Sequence, residues 1–268
     1  GWLRKTPVIV NYRGGEANVY FEKSFQWVKP SLIKAKGVVV PSGYLEKVFA
    51  DYGVATKVIP NIINLNRFTP AHKDETSGQE QQSYSQPSFT LIITRNLEAI
   101  YGIETAIKAV ALARKQVPNI HLHIAGTGPL ESQLKQLAEQ LDVQDVVTFV
   151  GRLNAEQIVT FYQSADVMLN PTTVDNMPNS VLEALASGVP VITTNVGGIP
   201  YIVEHEKTAL MVSVGHEEEM ADAIVRLYQA PETRKQLIKN GISAVQPYAW
   251  PHVKGQWLSL YHSVRAEI

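Results

Sequence analysis

DVMLNPTTVDNMPNSVLEALASGVPVITT, residues 166–194, is the stretch on which the fold turns. It opens on an apolar run, DVMLNP, and breaks into a polar loop. At Asn179 it resumes with apolar residues at helical spacing. Gly188 ends that helix, and a second apolar run, VPVITT, follows at once. A strand, helix and strand joined this closely predict a βαβ unit, and therefore parallel strands. The loop carries one carboxylate, Asp175, and the helix carries a second, Glu183. Pro178 precedes the helix, so Asn179 or Ser180 is expected as its N-cap, with Glu183 in the first turn. A helix N-terminus presents N–H groups and a partial positive charge, which suits a phosphate. The same residues also read as an ordinary capped turn and a turn-forming aspartate.

The alternation extends in both directions. Upstream, PVIVNY, GVVVPS and TKVIPN are predicted strands. The aromatic-rich EANVYFEKSFQWVKPSLIKA and the short helix GYLEKVFADYG lie between them. AHKDETSGQEQQSYSQPS (71–88) is polar and poor in apolar residues, and is expected to be a linker or surface loop. From Phe89 the pattern restarts with FTLIITR, NIHLHIAG, VVTFVG, DVMLNP, VPVITT and ALMVSV as strands. Helical stretches separate the first five, two more helices follow ALMVSV, and YAWPHVKGQWLSLYHSV closes the chain as an aromatic-bearing helix. Such regular alternation predicts an α/β protein whose parallel sheets are covered on both faces.

Bulk composition narrows the function classes. The chain has 268 residues, enough for about two domains, and its 45% apolar content supplies a sizeable core. It has no cysteine, which removes disulfides, thiolate metal ligands and thiol nucleophiles, and sets the expectation of a cytoplasmic protein. No apolar run approaches the roughly 20 residues of a membrane span. Residues 1–70 hold ten Lys/Arg against four Asp/Glu, whereas the remainder is acidic. That basic part suits a phosphorylated partner or an anionic membrane surface, and also reads as scattered solvated lysines. Nucleic acid is not expected. The aromatics of 20–36 are better explained as a buried helix face than as a base-stacking surface. His121 and His123 share a strand face without a third ligand nearby, so no metal site is expected.

Ligands of open parallel sheets sit beyond the carboxyl ends of the strands. The loops there are NYRGG, ITRNLEAIYG, IAGTGPL, FVGRL, LNPTTVDNMPN and TTNVGGIP. Arg95 follows a strand directly and can fork onto a phosphate, although it equally reads as an exposed strand-end arginine. Gly126 and Gly128 lie between a strand and a helix. Glu131 stands where the dinucleotide fingerprint would have its third glycine, so the motif is incomplete. Gly151 and Arg152 end another strand, and Gly197 and Gly198 form a further strand-end loop.

Taken in order, VVVPSGYLEKVF, IPNIINLNRFTP, TRNLEAIYG, HIAGTGPLESQL, VTFVGRL, NPTTVDNMPNSVLEALASGVPVITTNVGGIP and the final aromatic helix resemble the retaining GT-B glycosyltransferases of family 4 (group 1). The resemblance implies two Rossmann-like domains with a sugar nucleotide between them. In the family's paired-acid signature Asp175 stands for the first acid and Glu183 for the second. Glu183 would then accept hydrogen bonds from the ribose, and Asp175 would lie near the donor sugar. Backbone N–H groups around Asn179, Ser180 and Val181 would hold the pyrophosphate. Arg95 would neutralise it, and the loop of Gly151 and Arg152 would border the base, with Gly126 and Gly128 alongside. Tyr12, Arg13 and Gly14 are the nearest acceptor-side candidates. No cofactor and no metal are implied, because arginine and amides do the neutralising.

Three departures stand out. Tyr101 precedes Gly102 where the family has a lysine, so the second phosphate cation is missing or comes from elsewhere, with Arg152 and Arg13 as candidates. Tyr201 stands where the family often has glutamate, and elements that open the N-terminal domain are expected before Gly1. The expected organisation is a partial acceptor-side domain over 1–70 joined by a crossover helix at 248–268, the linker 71–88, and a nucleotide-sugar domain over 89–247. The expected activity is retaining transfer of a hexosyl group from a UDP- or GDP-sugar to a glycan or lipid-linked acceptor, with peripheral contact to the inner membrane face. A nucleotide-sugar-binding pseudo-enzyme and a sugar-nucleotide epimerase or phosphorylase on the same fold are the alternatives.

Overall fold

The computed structural model describes residues 6–71 and 88–266. Apart from Ala71 and Ser88, the expected linker lies outside them. The described strands form two sheets, and every pairing within them is parallel.

The first sheet has the order β1-β2-β3, from β1 (Ile9–Asn11), β2 (Gly37–Val40) and β3 (Lys57–Val58). Helix α1 (Ala17–Lys34) joins the first two strands. It lays Ala17, Phe21, Phe25, Val28 and Leu32 on the sheet, a stripe at the three- and four-residue spacing of one helix face. Helix α2 (Gly43–Asp51) joins the next pair, and Ser42 Oγ caps it by accepting from the Leu45 amide at 3.3 Å.

The second sheet has six strands in the order β6-β5-β4-β7-β8-β9. They are β4 (Phe89–Thr94), β5 (Ile120–Ala125), β6 (Val147–Gly151), β7 (Val167–Asn170), β8 (Val191–Thr194) and β9 (Leu210–Val212). The chain winds outward from β4 through β5 to β6, then returns to the other side of β4 as β7. That reversal makes the gap between the ends of β4 and β7 the topological switch point, where ligands of doubly wound sheets bind.

Both faces of this sheet are covered, which explains why its strands read as continuous apolar runs. Leu91 and Ile93 of β4 face a core shared with α3 (Ile103–Ala113), α4 (Glu131–Gln140) and α7 (Glu217–Gln229). Ile92 faces the opposite core with α5 (Gln157–Gln163) and α6 (Asn179–Ala186). Helix α8 (Pro231–Ala244) packs on α6, where Gly241 lets it approach Leu185.

The last helix, α9 (Trp250–Ala266), crosses back to the first sheet. Its Val253, Leu260 and Val264 pack on Val39 and Ile59. The Ile63 amide donates to the Tyr248 carbonyl at 3.0 Å where the two crossing segments meet. Among the described residues no helix is long and apolar enough to cross a membrane.

Truncation of Leu260 to alanine removes a nearly buried side chain from the α9 seam, at a cost of about 2–3 kcal/mol. Native-state hydrogen exchange should show faster opening of the β2 amides in Leu260→Ala, with the β4 amides unchanged.

Candidate functional site

The switch point holds a cleft of about 450 Å³, within the size range of small-molecule sites. Its lining includes Thr94 at the end of β4, Arg95 and Asn96 after it, and Gly126 after β5. Arg152 after β6 and Asp175 in the loop after β7 also line it, as do Asn179, Ser180 and Glu183 of α6. A larger groove of about 670 Å³ lies between residues 200–211 and α8. Three of its polar side chains already have partners: His205 Nδ1 accepts from the Met211 amide, Thr208 Oγ1 from the Glu204 amide, and Asn240 Nδ2 donates to the Lys207 carbonyl. Size therefore does not choose the site, and chemistry favours the switch point.

Arg95 is the centre of the cleft. Its Nη2 donates to Asp175 Oδ2 at 2.5 Å, with both side chains largely buried (12% and 14% exposed). Its Nε and Nη2 both donate to Asn170 Oδ1, at 3.0 and 2.9 Å. Asn170 is fully buried and is oriented by its own bond from Nδ2 to Thr193 Oγ1. The guanidinium also lies 5.0 Å from the centre of the Tyr101 ring, a cation–π contact. Tyr101 thus supports the arginine rather than adding a cation.

Two backbone amides donate hydrogen bonds that hold the acid loop. The Asn176 amide donates to Asp175 Oδ1 at 2.8 Å, and the Gly198 amide donates to the Asp175 carbonyl at 3.0 Å. The two glycines after β8 are sterically required. A Cβ at Gly197 would lie 2.1 Å from the Asp175 carbonyl oxygen, and one at Gly198 would lie 1.8 Å from that of Asn176.

Helix α6 points its N-terminus into the cleft. It begins at Asn179, with Pro178 in the N-cap position and no side-chain cap. The expected N-cap at Asn179 or Ser180 is therefore corrected by one to two residues, because proline's fixed φ starts the helix. Glu183 falls in the second turn rather than the first. The amides of Asn179 and Ser180 come before the first intrahelical bonds, and the Ser180 hydroxyl is buried without a hydrogen-bond partner. The Glu183 carboxylate accepts from the Tyr162 hydroxyl at 3.0 Å. Burial raises its pKa, and the Tyr162 bond and the Arg67 and Arg95 charges partly offset this.

A helix N-terminus, a buried arginine and two acids in one cleft are what the family pattern needs. The family model for glycosyl transferases group 1 matches residues 74–244. The chain belongs to this glycosyl transferase family. A D-inositol 3-phosphate glycosyltransferase from Pseudarthrobacter chlorophenolicus is 29% identical over 80% of this chain. An alpha-monoglucosyldiacylglycerol synthase from Streptococcus pneumoniae is 29% identical over 74%. The match covers 51% and 48% of those proteins, so the chain spans about half the length of these curated relatives. Sucrose-phosphate synthase from Thermosynechococcus elongatus superposes over the whole chain with a TM-score of 0.80 at 25% identity, covering 71% of that protein. Anabaena Alr3699/HepE, solved with UDP and glucose, superposes over 98% with a TM-score of 0.84 at 20% identity, covering 73% of that protein. The fold is GT-B, an α/β arrangement of parallel sheets.

In this glycosyl transferase fold the other expected residues divide. Gly128 and Gly151 do not line the cleft. Gly128 lets its loop pass the Leu97 backbone, and the Gly151 carbonyl accepts from the Gly126 amide at 2.8 Å. Val181 turns its side chain into the core, and its amide donates to the Pro178 carbonyl at 3.2 Å. Tyr12 is half-buried against Phe21 and Phe49 and belongs to the first core. Arg13 reaches Asn61 and Asn11, and Gly14 is exposed on the same loop. Neither Tyr12, Arg13 nor Gly14 lines this cleft.

Residues not singled out from sequence complete the site. Asn61 lines it from the first sheet's side and donates to the Met177 carbonyl at 2.7 Å, and Ser42 Oγ donates to Asn176 Oδ1. Asn170 and Tyr162 are the buried supports of Arg95 and Glu183. Asn170 had a signal, a polar residue ending an apolar strand. Tyr162 had none beyond the apolar spacing of its helix.

The two acids should respond oppositely to neutralisation. Asp175→Asn leaves the buried Arg95 charge uncompensated and should lower stability by roughly 3 kcal/mol. Glu183 carries a raised pKa, so its ionised form opposes folding above that pKa. Glu183→Gln should therefore raise the thermal midpoint of the ligand-free protein at neutral pH and above, with the gain vanishing in acid. Thermal unfolding from pH 4 to 8 checks both signs.

Proposed function

We propose that this chain provides the donor site of a retaining glycosyltransferase that takes a UDP- or GDP-sugar. The observation that carries the reading is the pairing of a free helix N-terminus with Arg95 in one cleft at the switch point. The structural neighbour HepE was solved in complex with UDP and glucose, which supports a nucleotide-sugar donor here.

In the proposed reaction the bond between the sugar's anomeric carbon and the β-phosphate oxygen breaks. A bond from that carbon to the acceptor oxygen forms, and the acceptor's proton passes to the departing phosphate. Negative charge gathers on the β-phosphate as the sugar becomes oxocarbenium-like. The amides of Asn179 and Ser180, the α6 dipole and the Arg95 guanidinium face that charge, and preorganised donors are worth most where charge develops. Arg152 lines the cleft as a further cation for the diphosphate. With these groups no divalent metal is required, and excess chelator should leave turnover unchanged.

Glu183 accepts from the ribose hydroxyls. Asp175, held by Arg95, faces the donor sugar and keeps the guanidinium aimed. The acceptor, a glycan or lipid-linked glycan, enters from the side of the first sheet, whose basic surface suits a phosphorylated carrier at the inner membrane face. Residues 1–70 with α9 form the acceptor-side unit in this reading, and 89–247 the donor unit, in a cytoplasmic protein.

Thermal-shift titrations with UDP, GDP, ADP and the matching sugars test the donor site. A diphosphate at ~100 times its dissociation constant should stabilise the protein by about 2.7 kcal/mol. The shift should shrink at least several-fold in Glu183→Ala and in Arg95→Ala. A protein indifferent to every nucleotide would overturn the reading.

A further inference from the structure

Among the described residues Tyr162 is the largest fully buried side chain, yet its hydroxyl bonds to two residues that line the cleft, Thr94 and Glu183. Three oxygens surround it: Thr94 Oγ1 at 2.8 Å, Glu183 Oε2 at 3.0 Å and the Ser180 carbonyl at 3.3 Å. A phenol has one proton to give. An ionised carboxylate and a carbonyl can only accept, so that proton points to their side, with Glu183 Oε2 the nearer. Thr94, which itself lines the cleft, must then donate to the Tyr162 oxygen. The result is a chain with one direction, from Thr94 through Tyr162 to Glu183.

The chain's rigidity comes from packing. Tyr162 sits in the core between β7 and α6, with its ring edge-on to Phe68 at 5.9 Å. Its hydroxyl cannot follow a moving carboxylate, so the carboxylate must come to it. Among the described residues the hydrogen bonds found on Glu183 end on Oε2, which leaves Oε1 for a ligand.

We infer that Tyr162 is a positioning residue. It fixes the Glu183 carboxylate so that its remaining oxygen meets the adjacent hydroxyls of a bound nucleotide's ribose. This deepens the nucleotide reading above and rests on it. The phenol bond also holds the Glu183 proton affinity down against burial, so its loss should raise the pH at which the carboxylate becomes protonated.

Calorimetric titration of Tyr162→Phe tests the assignment with the diphosphate that stabilises wild type and its 2′,3′-dideoxy analogue. The variant should bind the diphosphate roughly tenfold more weakly. The dideoxy analogue, which offers Glu183 no hydroxyl, should be almost unaffected. In a Glu183→Ala background the substitution should add nothing. Binding requires the ionised carboxylate, so as pH falls the variant should lose affinity at a higher pH than wild type. Thr94→Val interrupts the same chain one bond earlier and should show the same selectivity more weakly. It decides the matter if Tyr162→Phe does not fold. Equal losses for the two ligands, a loss that persists without Glu183, or an unmoved pH profile would each overturn the positioning role while leaving the nucleotide site intact. Absence of binding by wild type would overturn the site and this role together.

Discussion

The buried guanidinium of Arg95 is the constraint around which the cleft is built. A cation taken out of water is tolerated only when its donors are matched, and here a carboxylate, a buried amide and an aromatic face do so. These partners come from the loop after β7, the end of β7 itself and the turn at Ala99–Tyr101. The Arg95 backbone adds a fourth link, because its amide donates to the Ala125 carbonyl at 3.1 Å and its own carbonyl lies where a Cβ of Gly126 would stand. One side chain and its peptide thus bind the ends of β4, β5 and β7 together. That tie is one of the contacts that set the angle at which the loop delivers α6.

The glycine loop after β8 completes the arrangement from the other side. Gly197 and Gly198 let backbone press on the acid loop at a distance no side chain would permit. The first sheet closes a third side through Ser42 on Asn176 and Asn61 on Met177. A largely buried loop is thereby held by three elements far apart in sequence. Such over-determination is what a preorganised electrostatic site requires, since its dipoles must already be aimed before charge develops.

Within this frame the two acids take different physical roles. Asp175 is matched to a cation and is structural as well as polar. Glu183 is desolvated, held by a phenol and left with an unspent acceptor. Removing the first would strand a buried cation, whereas burial disfavours the ionised form of the second. A carboxylate retained at the expense of stability, in a cleft beside a helix N-terminus, is the pattern expected of a ligand-binding group.

The sequence by itself determined the alternating strands and helices, the parallel α/β class, and the edge of the sheet where the site lies. These follow from local periodicity and from the rule that parallel strands must be joined by crossovers. Arg95, Arg152, Asp175, Asn179, Ser180 and Glu183 were legible because each sits in a loop beyond a strand or in the helix that follows such a loop, and all six line the cleft. The start of α6 differs from expectation by one or two residues, because Pro178 is the last extended residue and the helical turn begins at Asn179. Gly128, Gly151 and Val181 lie outside the lining of the cleft, and glycine loops and helix starts serve packing and phosphate binding with the same residues. Only the tertiary structure decided that Tyr12 belongs to a core, that Tyr101 backs Arg95, and that Asn61, Asn170 and Tyr162 complete the site. Tyr162 lies 21 positions from Glu183 and Asn170 lies 75 from Arg95. Periodicity reports which face of an element is buried, but not which distant polar atom a buried hydroxyl or amide will meet, because that is set by how the layers stack.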